Sequence, residues 1–343
     1  MLRLLQVPDC ADALLKVVDF QRQLFHYAVE HDELYSEELL SLFDPETADW
    51  LWQQKTLLID SLTNKGNDKR ENFLKFDYEL KNELYNSFCN DIEFYKKYDD
   101  VDFTFKLSND CKEIKDWLIK FYDVLTDNIR GGFPPSITGL ADTLNSAYWW
   151  ESIYRANNQD TCPICDTLLI ETDSIEHFLP KSKYPALSIH PFNLFPSCEK
   201  CNHKKGDKDP LLNMKYPYIL HPYNHPLEDD SEIHFISNDK KDLVVLHPDC
   251  QTAQEFSRLF ILPDRWNDKM HRFIIRCGMN SLRNVLSRYP NAKEIEKEQI
   301  ISEGLDDIKR NWGKCNYAYV ATRWITEIAP QKWDSILVAV SRK

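Results

Sequence analysis

Apolar residues recur at helical spacing through the first 130 positions of the chain. An early stretch repeats them at intervals of three and four, with charged residues between them: Leu14, Leu15, Val17, Val18, Leu24, Phe25 and Ala28. A later stripe ends just before Gly131-Gly132 and consists of Ile114, Trp117, Leu118, Phe121, Tyr122, Leu125 and Ile129. These patterns predict a helical domain over residues 1–130, then a linker and a lead-in helix over residues 131–160.

The last part of the chain shows a mixed pattern followed by a helical one. Two short apolar runs, at 232–236 and 242–246, are typical of strands. From Pro263 the apolar spacing becomes helical, and one predicted face carries Trp266, Met270, Phe273 and Cys277. Residues 216–343 are therefore predicted to form a C-terminal region that begins with strands and ends with helices.

A row of basic residues runs beside this last helical face, at steps of four, three and four: Arg265, Lys269, Arg272 and Arg276. A basic stripe of this kind can lie along a phosphate backbone and bind nucleic acid. A solvated helix face explains the same spacing equally well, so both interpretations stay open.

Length and composition describe a folded protein of two or three domains. The chain has 343 residues, of which 43% are hydrophobic and 13% aromatic, and this excludes a disordered chain. It contains no apolar run long enough for a transmembrane helix, and polar residues interrupt its first ten positions too early for a signal peptide. We expect a cytoplasmic protein without membrane contact, in which the ten cysteines are reduced or bound to metal.

The net charge of −13 is distributed unevenly along the chain. Residues 1–160 carry 30 acidic and 17 basic side chains, whereas residues 161–343 carry 25 of each. Residues 177–215 hold seven lysines against three acids, so positive charge is concentrated where a phosphate substrate would approach. We expect the acidic helical region to dock a partner subunit or a second copy of the chain; the alternative, which is the commoner case, is that its helices pack into their own core.

Two Cys-x-x-Cys pairs bracket the segment with the most informative chemistry. Cys162 and Cys165 form the first pair, and Cys198 and Cys201 form the second. This spacing lets four thiolates reach one tetrahedral zinc ion. Such a site is structural, because four thiolates leave no open position for catalysis. The alternative is two reduced or redox-active pairs.

A carboxylate and a histidine stand side by side between these pairs. In an extended segment, Glu176 and His177 would point to opposite faces and could serve different roles. A carboxylate can hold a hard divalent cation, and a neutral imidazole can take a proton from an attacking water. A single histidine is more often structural than catalytic, although the adjacent metal-binding cysteines favour a functional one.

The order of these motifs resembles a known family. Glu176-His177, a Pro-Lys-Ser turn at 180–182, Asn193-Leu194 and the run Cys-x-x-Cys-Asn-x-x-Lys-Gly ending at Gly206 are similar to the HNH endonucleases. These are the zinc-clipped branch of the His-Me finger, or ββα-metal, nucleases. The resemblance covers roughly residues 160–210. It implies a small ββα-metal module over residues 161–215 in a mainly α protein, which makes the fold α+β overall.

The resemblance also implies a role for each motif residue. His177, on the first strand of the hairpin, would be the general base, and Asn193 would brace the hairpin loop. Asn202, on the following helix, would bind a catalytic Mg²⁺ or Mn²⁺ together with Glu176. Many family members have histidine at the position of Asn202, so this chain is an asparagine variant, and His203 is one position out of register.

Four lysines around the module are candidates for holding the phosphate backbone: Lys181, Lys183, Lys204 and Lys205. Each is as readily explained as a solvated surface lysine.

A looser resemblance points to prokaryotic antiphage systems. The segment from Glu176 to Pro185, with Asn193-Leu194 and His221-Pro222-Tyr223, is similar to the HNH nuclease subunits of Septu and retron-associated systems. That resemblance implies an ATPase partner subunit. The sequence thus predicts a metal-dependent endonuclease that cuts nucleic acid, taken to be DNA. The alternatives are an RNase or tRNA-cutting toxin on the same scaffold, and a zinc-ribbon binding module without catalysis.

Overall fold

A computed structural model describes residues 4–33, 36–63, 73–107, 112–127, 129–157, 161–169, 174–219, 221–224, 233–237, 242–246, 251–268, 273–289, 296–310 and 317–341. Helices dominate, and the strands form two small two-stranded sheets. The predicted α+β class is therefore confirmed. No helix within these ranges is long and apolar enough to cross a membrane.

The region before the first Cys-x-x-Cys pair is helical. Its α-helices are α1 (Ala11–Glu30), α2 (Ser36–Ser41), α3 (Pro45–Gln53), α4 (Lys55–Leu58), α5 (Asp60–Thr63), α6 (Tyr78–Ile92), α7 (Lys112–Thr126), α8 (Pro135–Thr138) and α9 (Ser146–Asn157). Short 3-10 turns lie at Phe73–Lys75 and Phe94–Lys96. Asp44 and Asp77 begin α3 and α6 by accepting hydrogen bonds from the amides of Thr47 and Leu80.

The second half of the chain combines both sheets with further helices. The strands are β1 (Ser174–His177), β2 (Leu194–Ser197), β3 (Ile233–Ser237) and β4 (Asp242–Leu246). The 3-10 turns here are Pro185–Leu187, Pro191–Asn193 and Tyr216–Tyr218. The helices are α10 (Glu199–Lys205), α11 (Gln251–Phe260), α12 (Leu262–Asn267), α13 (Ile275–Leu286), α14 (Lys297–Lys309), α15 (Ala318–Glu327) and α16 (Trp333–Ser341).

Strands β1 and β2 pair antiparallel and are followed directly by α10, which gives the expected strand–strand–helix order. In this register Glu176 lies opposite Phe195, and His177 lies opposite Leu194. The connection between the strands is a loop of sixteen residues, 178–193. Gly206 ends α10 with a positive φ of 47°, a backbone conformation that residues other than glycine rarely adopt.

The hairpin lies between two apolar cores. Ile175 and Leu194 belong to the first core, which the N-terminal helices build around Phe25. Phe178 and Phe195 belong to the second core, which contains the four cysteines and most of the C-terminal helices. Neighbouring residues on β2 thus face different cores, as the pleat of a strand requires. The hairpin therefore joins the two halves of the protein.

The structure differs from the sequence patterns at two helices. The stripe of α7 stops at Thr126, and Ile129 beyond it is 95% exposed. The single helix expected from Pro263 is divided, since α12 ends at Asn267 and α13 begins at Ile275. The predicted strands are found at nearly the expected positions, as β3 and β4. The domain boundaries at 130, 160 and 215 stay predictions.

Candidate active site and metal centre

The two Cys-x-x-Cys pairs meet in one buried cluster. The sulfur atoms of Cys162, Cys165, Cys198 and Cys201 all lie within 4.8 Å of one another, and 3.6 Å separates those of Cys165 and Cys198. Four thiolates bound tetrahedrally at about 2.3 Å from zinc lie about 3.8 Å apart, so the cluster fits this metal. Burial raises the pKa of the Cys162 and Cys201 thiols, and a bound cation would stabilise their thiolate forms.

The first pair is shaped by a tight turn. The amide of Asp166 donates to the carbonyl of Cys162 at 2.9 Å, and the amide of Cys162 donates to the carbonyl of Thr167 at 2.7 Å. Asp166 takes a left-handed conformation, with φ of 61°. The turn therefore points both sulfur atoms of the pair toward the second pair.

Residues from the C-terminal helices contact this cluster. A guanidinium nitrogen of Arg265, Nη1, donates to Cys201 Sγ at 3.1 Å. The indole of Trp266 donates to the carbonyl of Cys165 at 3.2 Å. The amide of Tyr317 donates to the carbonyl of Asp166 at 2.7 Å. Arg265, a predicted nucleic-acid contact, therefore lies against the cysteine cluster, and Arg276 is exposed on α13. Lys269 and Arg272 lie outside the described residues.

His177 ends β1 and is almost fully buried. Its Nε2 donates to the carbonyl of Ser188 at 2.7 Å. A carbonyl can only accept, so Nε2 carries the proton and Nδ1 keeps a free lone pair. Burial lowers the pKa of His177 to about 3, and the charges of Lys181 and Lys205 lower it too, against the raising effect of the Ser188 carbonyl. The ring is therefore neutral at pH 7, in the tautomer that a general base needs.

Asn193 fastens the loop between the two strands. Its Oδ1 accepts from the amide of Leu179 at 2.7 Å, and its Nδ2 donates to the carbonyls of Leu179 and Leu187 at 3.0 and 3.1 Å. All three bonds are buried, which makes them costly to break. Leu187 directly precedes Ser188, whose carbonyl orients His177, so Asn193 supports the position of the histidine.

Glu176 and Asn202 face each other across the hairpin and α10. The Asn202 side chain hydrogen-bonds to the Glu176 carboxylate. Burial raises the pKa of Glu176, while the ammonium groups of Lys205 and Lys181 and the bond from Asn202 lower it. A carboxylate and an amide together offer the oxygen ligands that Mg²⁺ prefers. His203, one position further along α10, is exposed.

The four candidate lysines have four different environments. Lys205 is only 2% exposed, and burial lowers its pKa to about 8. The ammonium of Lys181 lies 4.2 Å from the centre of the Tyr122 ring. Lys183 forms an ion pair with Asp209 at 3.5 Å. Lys204 is exposed on α10 and is the one of the four most open to solvent.

Two residues near His177 were missed by sequence reasoning. Tyr122 of α7 packs its ring against the imidazole, with 4.4 Å between ring centroids, and its hydroxyl donates to the carbonyl of Ile175 at 3.2 Å. The Ser188 hydroxyl donates to the carbonyl of Leu118, also on α7, at 2.8 Å. Tyr122 appeared in the sequence as one more apolar position of a helical stripe. The N-terminal helices thus form part of the site.

Parts of the chain are similar to two known proteins. It is 42% identical over 77 residues to the Septu protein PtuB of Bacillus thuringiensis, across 20% of this chain and 28% of that protein. It is 31% identical over 106 residues to protein ea31 of Escherichia phage lambda, across 31% of each. The chain therefore spans less than a third of the length of these relatives. No family model and no solved structure matches it.

Proposed function

We propose that this protein is a metal-dependent endonuclease that hydrolyses phosphodiester bonds in DNA. The observation that carries the proposal is the neutral His177 with a free Nδ1, next in sequence to a carboxylate that shares a hydrogen bond with Asn202. A base and a pair of oxygen ligands on neighbouring elements suit phosphodiester hydrolysis.

In the proposed reaction, Nδ1 of His177 takes a proton from a water molecule. The water oxygen forms a bond to phosphorus, the bond to the 3′ oxygen breaks, and that oxygen takes its proton from solvent. The Ser188 carbonyl holds the ring through Nε2 and stabilises the imidazolium that forms. Burial makes the histidine a weak base in the free protein, and the negative charge of a bound phosphodiester raises its pKa toward the working range.

Glu176 and Asn202 would hold the catalytic ion. Bound there, Mg²⁺ or Mn²⁺ would stabilise negative charge on the phosphate and on the leaving oxygen. The buried Lys205 ammonium offsets the charge of Glu176 in the free protein, so the carboxylate tolerates its buried position. The four cysteines would hold a second, structural zinc ion that takes no part in the reaction.

The biological setting of the proposal is defence against phage, and its support is the partial similarity to the Septu protein PtuB. The acidic first 160 residues repel DNA, which disfavours tight binding by the chain alone. We propose that a partner, an ATPase subunit or a second copy of the chain, brings DNA to the site. Tight, rapid DNA cleavage by the isolated chain at physiological salt would contradict this part.

The test of the activity is cleavage of plasmid DNA and of total RNA by the purified full-length chain, with Mg²⁺ or Mn²⁺ and then with EDTA. The assay is run with and without the proteins encoded beside it. We expect metal-dependent cleavage of DNA, abolished in His177→Ala. Cleavage confined to RNA would identify the site as a ribonuclease.

The matched control is His203→Ala, since this exposed histidine neighbours Asn202 and lies outside the proposed ligand set. It should keep wild-type activity, whereas Asn202→Ala should lose it. His177→Ala should keep its zinc content and its melting temperature, because the imidazole is not a zinc ligand. Wild-type rates in a folded His177→Ala protein would refute the assignment of the base.

A further inference from the structure

A groove of about 730 Å³ is lined in part by the loop that follows His177. One wall is the segment 101–107, which belongs to the N-terminal half of the chain. The other wall contains Lys183, Tyr184 and residues between Asp209 and Tyr216. The motifs of the candidate active site include none of the residues on the 101–107 wall. The volume lies in the range of binding pockets for molecules of nucleotide size.

Aromatic side chains form the inner surface of the groove. Phe105 is partly exposed, and its ring lies 5.0 Å from that of Tyr184 and 5.5 Å from that of Tyr216. The Tyr184 hydroxyl donates to Asp209 Oδ1 at 3.0 Å, which fixes the ring in place. A fixed, partly exposed aromatic cluster can stack a nucleobase whatever its identity.

Three lysines and two aspartates, Asp102 and Asp209, line the groove around these rings. Lys106 and Lys215 line opposite walls of the groove, and both are exposed. Lys183 adds a third ammonium group, held by Asp209. Aromatic rings beside lysines are the combination by which many proteins bind single-stranded nucleic acid, because bases stack on the rings and phosphates bind the ammonium groups.

The groove is adjacent to the candidate active site. Lys183 and Tyr184 lie on the loop that Asn193 fastens, six and seven residues after His177. The buried Lys205 ammonium interacts electrostatically with Glu176 of the active site and with Asp209 of the groove. The two sites therefore share the loop 178–193, whose residue Tyr184 is bonded to Asp209 of the groove.

We propose that this groove binds a nucleotide of a single DNA strand that flanks the cleaved phosphate. The base stacks on Phe105, and Lys106 and Lys215 bind the neighbouring phosphates. A groove of this volume holds one or two nucleotides of one strand, which favours unpaired or locally opened DNA as substrate. The proposal rests on the proposed nuclease function, because that function supplies the reason for a strand to be present.

The test measures binding without cleavage. A fluorescently labelled oligothymidine of about 12 nucleotides, which is within the range of single-strand binding sites, is titrated with the full-length chain in EDTA. Phe105→Leu keeps the apolar contact but removes the aromatic face, and it should weaken binding by about tenfold. The double variant Lys106→Gln/Lys215→Gln should reduce the slope of log affinity against log salt by about 1.4, the value for two lost contacts with single-strand phosphates.

The matched control is Lys75→Gln/Lys309→Gln, which removes two exposed lysines that do not line the groove. It should leave the salt slope near wild type. Wild-type affinity and slope in folded groove variants would overturn the proposal. Tighter binding of oligouridine than of oligothymidine would overturn its assignment to DNA.

The cleavage assay separates this proposal from the nuclease function. Groove-dependent oligothymidine binding without cleavage under any metal would reject the nuclease and leave the groove. His177-dependent cleavage with groove-independent binding would reject the groove and leave the nuclease.

Discussion

The ring of Tyr122 stands edge-on to the imidazole of His177, at an interplanar angle of 62° and with 4.4 Å between ring centroids. Fifty-five residues separate the two positions in the chain, and they come from different predicted domains. The Lys181 ammonium lies over the same tyrosine ring, 4.2 Å from its centre. Tyr122 therefore shields the candidate base from solvent. Because this ring comes from α7, residues 161–215 do not enclose His177 on their own.

Replacing Tyr122 by alanine should let water reach His177. Because burial is the main cause of the lowered pKa, the pKa of His177 should rise from about 3 toward its ordinary value of about 6.5. Tyr122→Phe keeps the ring and loses only the bond to Ile175, so the pKa should stay low. NMR titration of the histidine resonances measures both variants. An unchanged pKa of His177 in a folded Tyr122→Ala protein would show that side chains other than Tyr122 exclude water from the imidazole.

The pH dependence of cleavage should differ from that of an exposed histidine. Since His177 stays neutral down to about pH 3, kcat/KM at saturating Mg²⁺ should not fall as the pH drops through 6.5. At limiting Mg²⁺ the rate should fall in acid, because protons compete with the metal for Glu176, whose pKa burial raises. Initial rates at both metal concentrations test this. A loss of activity near pH 6.5 that saturating Mg²⁺ cannot reverse would contradict it.

The same shift predicts how folding responds to acid. The unfolded chain takes up a proton on this histidine at about pH 6.5, whereas the folded protein takes it up only near pH 3. The stabilisation by the neutral ring is therefore present above pH 6.5 and is lost progressively between about 6.5 and 3. Denaturant unfolding of wild type and His177→Gln across this window should show a steeper loss in wild type. Parallel curves would count against the lowered pKa.

Asn193→Asp should destabilise the protein strongly. The substitution keeps the acceptor for the Leu179 amide but places a second oxygen against the carbonyls of Leu179 and Leu187. Losing two buried donors costs about 2–6 kcal/mol in the free energy of unfolding. Asn284→Asp, on the exposed side of α13, is the control and should change little. A loss below about 1 kcal/mol would mean that the loop is fixed by other contacts.

Arg265→Gln should weaken zinc retention. Zinc bound by the four thiolates would carry two negative charges, and the Arg265 guanidinium, 3.1 Å from Cys201 Sγ, would offset one of them. Chelators should remove zinc faster from Arg265→Gln than from wild type, with Arg265→Lys between them because lysine keeps the charge without the planar fork. A colorimetric zinc-release assay measures the rates, and Arg276→Gln on exposed α13 is the control. Equal release from all four proteins would limit Arg265 to a packing role.

Local spacing was sufficient to predict the cysteine cluster, whereas the resemblance to the HNH endonucleases implied the hairpin. Each Cys-x-x-Cys pair places its thiolates by short-range geometry, so the meeting of Cys162 and Cys165 with Cys198 and Cys201 followed from the sequence. The Asn193 bonds are likewise local, since they span fourteen residues or fewer. Motifs whose residues contact one another over a short sequence separation can be interpreted without knowledge of the fold.

Contacts between distant elements could not be predicted in this way. Arg265 fits a regular basic stripe, but its guanidinium is turned to Cys201, sixty-four positions earlier. Ile129 continues the apolar period of α7 but lies beyond it, because the Asp127 side chain accepts the Ile129 amide at 2.9 Å and competes with the helix. The spacing of apolar residues shows which face of a helix could be buried. Which other element packs against that face depends on the fold of the whole chain.

The hydrogen bond from the Tyr317 amide to the carbonyl of Asp166 also affects when the site can assemble during translation. The cysteine turn includes Asp166, but Tyr317, one of its backbone partners, is translated 151 residues later. Arg265 and Trp266, which also contact the cluster, emerge about a hundred residues after Cys165. A nascent chain that stalls before them carries Glu176, His177, Asn193 and Asn202 but lacks these contacts to the cysteine cluster. Full assembly of the candidate site therefore depends on residues that are translated long after its motifs.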